Sequence, residues 1–440
     1  HCMGGKGGHF DKIIESKRYY NLEKLIIYNL LTYQKVFEDK KNKKINLSKK
    51  IPRNFNNINE ALLNCYLDND SVDSSFKRLI NSPEIDYTRY VYFYVNYLLK
   101  KKRYNEALNI VENNIDEINS NLLLDQTKIW LKNVKYKNIT NLFNCRNPSH
   151  LISELFYLIA NLYASEENYY ASNFYVNLSN YLNPKFIFNK ALLAENFSSM
   201  NEYKKAEEIY KKFEKKNEIY YWYSVKKISY IKSKLSNKKK AIEYFKKNYG
   251  KLKNPTLKNY YDAANFYNNF ESYEEAIKYY SKVLDSLNKN HPLYSSILYK
   301  RGGSYERINN WKKSDKDLLE SLSLSPKDPY VLNYLAYSWL ERNYNLKKSM
   351  DMLITAHNLK PKDPYILDSI GWAYFLKNEY KTAQKFLQKA VELMPRDPIV
   401  NDHYADILWK LNKKIQATYF WKYVLNLDKT EEKMKKIIKK

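Results

Sequence analysis

Pro326-Lys327-Asp328-Pro329, Pro361-Lys362-Asp363-Pro364 and Pro395-Arg396-Asp397-Pro398 are three copies of one short phrase near the end of a 440-residue chain. Their starts lie 35 and then 34 residues apart. Proline is accepted in the first turn of a helix, where no amide hydrogen is needed, and interrupts a helix interior. Each phrase therefore ends one helix and opens the next. A repeat of this length marks a stack of helix pairs, because a single pair cannot bury its own apolar face and must lean on its neighbours. The predicted fold is all-α, a right-handed superhelical solenoid of antiparallel helix pairs. Such a chain offers a surface for binding rather than a catalytic pocket.

Between the phrases, small residues recur where two helices cross and bulky ones fill the crevices. With Pro364 as position one, Leu367, Ile370, Gly371, Tyr374, Ala383, Leu387, Ala390 and Pro395 stand in this arrangement. On these residues the segment resembles the tetratricopeptide repeat family. Ala171, Ala206, Ala241, Ala276, Ser314, Ser349, Ala383 and Ala417 take the same small-residue place on successive second helices. One longer step falls where Asn288-Lys289-Asn290-His291-Pro292 adds loop residues, which a surface turn tolerates at small cost. Eight repeats are expected over residues 151–428. A basic capping helix is expected at 429–440, from Lys429-Thr430-Glu431 followed by Met434, Ile437 and Ile438 at helical spacing.

Upstream the pattern blurs. Residues 11–150 read as degenerate helical hairpins of the same kind, with one pair at 90–99 and 104–108. Further helices are expected at 22–37, 58–67 and 122–134, separated by polar loops at 40–53 and 135–149. Residues 1–10 read as a disordered or tag-like start. They lack a charged-then-apolar targeting profile and point to a processed or truncated beginning. Cys2 as a lipid-bearing cysteine is disfavoured, because His1 is not the small residue such a cleavage site needs. The Gly4–Lys6–Gly8 stretch is no phosphate loop, since it has neither a preceding strand nor a Ser or Thr after its lysine.

A hydrophobic content of 44% suffices for a long, thin core. No apolar run approaches the roughly 20 residues of a membrane span. Cys2, Cys65 and Cys145 are far apart in unrelated contexts, so neither a disulfide framework nor a metal cluster is expected. Asp402, His403 and Asp406 lack a second histidine or cysteine nearby and are read as polar groove residues rather than zinc ligands. No nucleophile, base and orienting group recur at a workable spacing, so neither catalysis nor a cofactor is expected. A net charge of +27 invites a nucleic-acid reading, with clusters at 40–50, 100–103, 238–240 and 433–440. Residue usage rich in Asn, Ile, Tyr and Lys offers a plainer source, an AT-rich genome. The 45 tyrosines are read mainly as packing residues, among them Tyr210, Tyr267, Tyr280, Tyr305 and Tyr374.

In this repeat, positions two, five, six and nine of the first helix are free of packing and face the concave surface. In the last three repeats they are Tyr330, Asn333, Tyr334 and Tyr337; Tyr365, Asp368, Ser369 and Trp372; and Ile399, Asp402, His403 and Asp406. This wall is aromatic and acidic, against the sign of the whole protein. It suits an extended peptide or another protein's helix and suits a phosphate backbone poorly. The plainer alternative, that acids after the Asp-Pro turns cap helices, covers Asp363 and Asp397 but not Asp368 and Asp402, which lie inside the helix.

Asn333-Tyr334-Leu335-Ala336-Tyr337, Asp368-Ser369-Ile370-Gly371-Trp372-Ala373-Tyr374 and the run Asn401-Asp402-His403-Tyr404-Ala405-Asp406-Ile407-Leu408-Trp409 resemble a group of proteobacterial tetratricopeptide outer-membrane lipoproteins. That group acts as adaptors of a periplasmic carboxyl-terminal processing protease. The resemblance implies a non-enzymatic adaptor, a protein or peptide partner such as an envelope protease, and a place in the periplasm or on the periplasmic face of the outer membrane. Without a targeting profile at the start of the chain, the cytoplasm stays open. The alternative function is a cytoplasmic scaffold that binds RNA or another polyanion through a basic outer surface.

Overall fold

A computed structural model describes residues 22–39, 45–83, 86–116, 118, 120–427, 434–435 and 438. Their regular structure is helical, in tandem antiparallel pairs. The expected start at 1–10 and all but three residues of the expected capping helix lie outside the described residues. The chain divides into two compact units between Lys258 and Asn259.

The first unit opens with α1 (Leu22–Glu38), α2 (Arg53–Leu67), α3 (Val72–Ile80), α4 (Thr88–Lys100), α5 (Tyr104–Asn113), α6 (Leu122–Lys132) and the short α7 (Lys137–Thr140). Three full pairs follow. They are α8 (Pro148–Ser165) with α9 (Tyr169–Leu182), α10 (Lys190–Ser199) with α11 (Tyr203–Tyr210), and α12 (Glu218–Leu235) with α13 (Lys238–Tyr249). The unit is pinned by a buried ion pair. Arg89 on α4 donates twice to Glu154 on α8, both at 2.8 Å, and once to Asn189 at 2.8 Å, while the Tyr157 ring lies 3.9 Å from its guanidinium carbon. Every ion in it is satisfied, as a buried charge requires.

A second cross-link corrects the expectation that the cysteines are unrelated. Cys65, on the last turn of α2, is joined by a disulfide to Cys145, in the loop before α8. The sequence separation of 80 residues hid the pairing, because the two segments meet only in the fold, where Asp68 and residues 143–146 gather at the end of α4.

The second unit continues the pairs. α14 (Leu257–Asn269), whose first residues close the first unit, pairs with α15 (Tyr273–Ser286), and α16 (Tyr294–Arg307) with α17 (Trp311–Leu324). Then come α18 (Pro329–Glu341) with α19 (Leu346–Leu359), α20 (Pro364–Leu376) with α21 (Tyr380–Leu393), and α22 (Pro398–Lys410) with α23 (Lys414–Leu425).

Three local rules set this geometry. Asp328, Asp363 and Asp397 each accept hydrogen bonds from the next two free backbone amides, at 2.9–3.2 Å, with proline in the first turn. This satisfies amides that a helix start otherwise leaves unpaired. Within a pair, the tight turn places one residue in the left-handed region, and here Asn201, Asn309, Asn343, Asn378 and Asn412 do so in place of glycine. At the crossing, Ala206, Ala241, Ala276, Ser314, Ser349, Ala383 and Ala417 are fully buried. In the pair α8–α9 the buried small residue is Ser172 rather than Ala171, and its hydroxyl accepts from Asn196 at 2.7 Å. Both residues are small, so spacing alone placed the register one residue early.

Candidate partner-binding groove

In the second unit, α18, α20 and α22 pack side by side, each touching the next, while α19, α21 and α23 fan apart behind them. Side chains on the front therefore converge. The rings of Tyr337 on α18 and His403 on α22 come within 6.4 Å although a whole repeat lies between them. That approach across α20 marks the front as the concave side.

The centre of this wall is one stacked assembly. His403 Nδ1 lies 2.9 and 3.0 Å from the two carboxylate oxygens of Asp368, and the imidazole stacks on Trp372 with centroids 4.2 Å apart. Trp372 also stacks on Phe375 at 4.6 Å and donates its indole N–H to Glu341 at 2.9 Å. The Tyr337 hydroxyl bonds to the same Glu341 carboxylate. One repeat upstream, Tyr334 donates to Glu306 at 2.9 Å and meets Tyr299 edge-on.

Of the residues expected to be free of packing, three are interior: Asp368, Ser369 and His403 are only 6%, 4% and 7% exposed. Asp368 and His403 neutralise one another, and the Ser369 hydroxyl bonds back to the Tyr365 carbonyl at 2.9 Å. They hold the wall rather than display it. Tyr330, Tyr365 and Ile399 are exposed along one rim, and Tyr334, Tyr337, Trp372, Asp402 and Asp406 are half-buried on the surface. Asn333 is half-buried, and its side-chain oxygen has no hydrogen-bond partner among the described residues. Glu341 and Phe375 were missed by the four-position rule. Glu341 lies one helical turn past Tyr337, so extending position nine by four residues would have found it.

The electrostatics favour a cation. Burial and the neighbouring Asp402 push the Asp406 carboxyl up to about 6, against the pull of His403 and Lys410. Asp402 is raised chiefly by burial, opposed by His403 and by a hydrogen bond from Trp421. Burial lowers His403, but Asp368, with Asp402 and Asp406 behind it, outweighs burial and raises it. The wall thus holds more negative charge than it neutralises.

The tetratricopeptide repeat family model matches residues 257–286 and 365–397, the pair α14–α15 and the pair α20–α21. The chain carries tetratricopeptide repeats. Among curated proteins, none matches it significantly. Solved structures similar to parts of it include MamA from Desulfovibrio magneticus RS-1, at 18% identity over 40% of this chain and 97% of that one, with a TM-score of 0.33. Another is TTC0263, a thermophilic tetratricopeptide protein of Thermus thermophilus, at 15% identity over 42% of this chain and 97% of that one, TM-score 0.37. A third is pilF of Pseudomonas aeruginosa, at 16% identity over 40% of this chain and 79% of that one, TM-score 0.35.

Charge is segregated within the last three tetratricopeptide repeats. α18 and α20 contain no lysine or arginine, and α22 has only Lys410 at its final turn. The second helices carry Lys347 and Lys348, then Lys381, Lys385 and Lys389, then Lys414 and Lys422, all exposed. The preceding first helix, α16, departs from this with Lys300, Arg301 and Arg307, of which Arg301 is tied to Asp317 at 2.6 and 2.9 Å. The acidic wall therefore begins at α18. Among the described residues, no helix is long and apolar enough to cross a membrane.

Proposed function

We propose that this chain is a non-catalytic scaffold whose wall of α18, α20 and α22 binds an extended segment of another protein bearing lysine or arginine. The observation that carries the reading is the reversal of charge on that wall in a protein of net charge +27. A cationic side chain entering there meets the Asp406 and Glu341 carboxylates, with the exposed Tyr365 ring at the rim. A cation over such a ring gains about 0.5–2 kcal/mol, depending on how far it is desolvated. Tyr330 and Tyr365 add rigid contact area at little cost in rotamer freedom. Concave surfaces of stacked repeats serve as binding faces generally.

A finer reading, docking of an envelope protease or its substrates, is supported by the resemblance of these three helices to the lipoprotein adaptors. The competing reading, a polyanion held by the outer surface, has the lysines of α19, α21 and α23 in its favour. Display selection of random-sequence peptides on the full chain and on a Trp372→Ala, Asp406→Asn variant separates them. The groove reading expects wild type to enrich lysine or arginine at a fixed place and the variant to enrich neither. Equal enrichment by both forms, or salt-sensitive binding of an RNA oligonucleotide to both, moves function to the second helices.

A further inference from the structure

The disulfide rests on more than the two sulfur atoms, because the chain around each cysteine is anchored to the same place by other contacts. Asp68, three residues past Cys65, accepts from Arg146 at 2.6 Å and from Lys101 at 3.0 Å, and Arg146 directly follows Cys145. Lys100 donates to the Phe143 carbonyl and to Asn144, each at 3.0 Å. Asn96 donates to the carbonyls of Ile139 and Phe143 at 2.8 and 3.1 Å, and the Phe93 and Phe143 rings meet at 4.5 Å. With that framework the Cα atoms of the two cysteines stand 5.8 Å apart, within the range a disulfide spans. Cys65 and Cys145 are 2% and 5% exposed, so the finished bond is sheltered from soluble thiols.

We infer that the chain is a substrate for oxidative folding and works where disulfides persist, outside a reducing cytoplasm. The co-reactant is a disulfide, either of a thiol oxidoreductase or of a small molecule. One cysteine thiolate attacks a sulfur of that disulfide, forming a mixed disulfide and expelling one thiolate. The second cysteine thiolate then attacks the mixed disulfide at the chain's own sulfur, closing Cys65–Cys145 and expelling the other thiolate. Two electrons pass to the oxidant, and the two protons lost by the cysteines balance its two new thiols. Arg146, the residue directly after Cys145, stays beside that sulfur in the unpacked segment and favours its thiolate. Because both sulfurs end buried, exchange precedes the packing of the 139–146 segment on α4. This inference stands apart from the groove, which lies in the other unit.

The test is acid-quenched, alkylated full chain from its native cells, digested without reductant and read by mass spectrometry. A linked peptide pair joining Cys65 to Cys145 is expected, and it vanishes after dithiothreitol. Free thiols at both positions, or a bond from either to Cys2, would overturn the inference. A Cys65→Ser, Cys145→Ser variant supplies the second arm. Wild type unfolded in dithiothreitol and refolded in its presence should melt, in the first unit, on the order of 10 °C below the oxidised protein, while the same treatment leaves the variant unmoved. Equal behaviour of the two forms also overturns it.

Discussion

At the scale of single residues, the groove hangs on His403. Its buried pairing with Asp368 means that His403→Ala leaves a carboxylate without its counter-ion in the interior. The expected loss is about 3–5 kcal/mol by denaturant unfolding, the cost of breaking rather than replacing a buried ion pair. Asp406 has no such partner among the described residues to offset its burial. Its carboxyl is raised to about 6 from an ordinary 3.8, so its contribution to stability is present at low pH and lost as pH rises through that window. His403 is raised as well, so its contribution holds below an ordinary histidine's pKa and fades as pH climbs through the higher folded value. Both signs agree, and the second unit should lose stability steadily from about pH 4 upward. Asp406→Asn removes the lower part of that slope while weakening binding of a lysine-bearing peptide. In wild type that binding should tighten between about pH 5 and pH 7, as Asp406 ionises, in a titration followed by Trp372 fluorescence. Gly371 tests packing directly. A Cβ there would stand 2.7 Å from Leu387 Cγ and 3.2 Å from its backbone nitrogen, so Gly371→Ala should cost about 1–3 kcal/mol.

At the scale of elements, the helix starts were readable because their chemistry is local. The three Pro-Lys/Arg-Asp-Pro phrases place α18, α20 and α22 to the residue, since proline and an aspartate cap act only on their own first turn. Asp363→Ala should cost about 1 kcal/mol in thermal unfolding. The left-handed turn residues were not singled out from the sequence, because asparagine, which takes that place at five turns, is common throughout this chain and so marks none of them by itself. Glu167, with φ of 60°, has no such tolerance, and Glu167→Gly should stabilise the first unit by about 0.5–1 kcal/mol. In the N-terminal half, α1, α2, α4, α5 and α6 lie close to the expected segments. α3 and α7 were missed, being short and mostly polar, with too few turns for a period to register. The slip from Ala171 to Ser172 has a similar cause, since adjacent small residues carry no phase.

At the scale of the whole molecule, what the sequence could not disclose was proximity. Nothing local links Cys65 to Cys145, and nothing local says that Asp368 and His403, on different repeats, would meet and leave the surface. The repeat register did disclose the sign of the wall, because positions two, five, six and nine share one face of each first helix. Its exposed part is smaller than that pattern implied, with Tyr330, Tyr365 and Ile399 at the rim and Trp372, Tyr337, Asp402 and Asp406 within. A photo-crosslinking amino acid at Tyr365, on the inner rim, or at Tyr419, on the exposed face of α23, reads out which side a partner occupies. With a lysine-bearing peptide from the display selection as probe, covalent capture is expected at Tyr365 and not at Tyr419, and should be lost when Asp406→Asn is added. Capture at Tyr419 alone, or capture at Tyr365 indifferent to Asp406, would contradict an acidic, aromatic groove as the binding face.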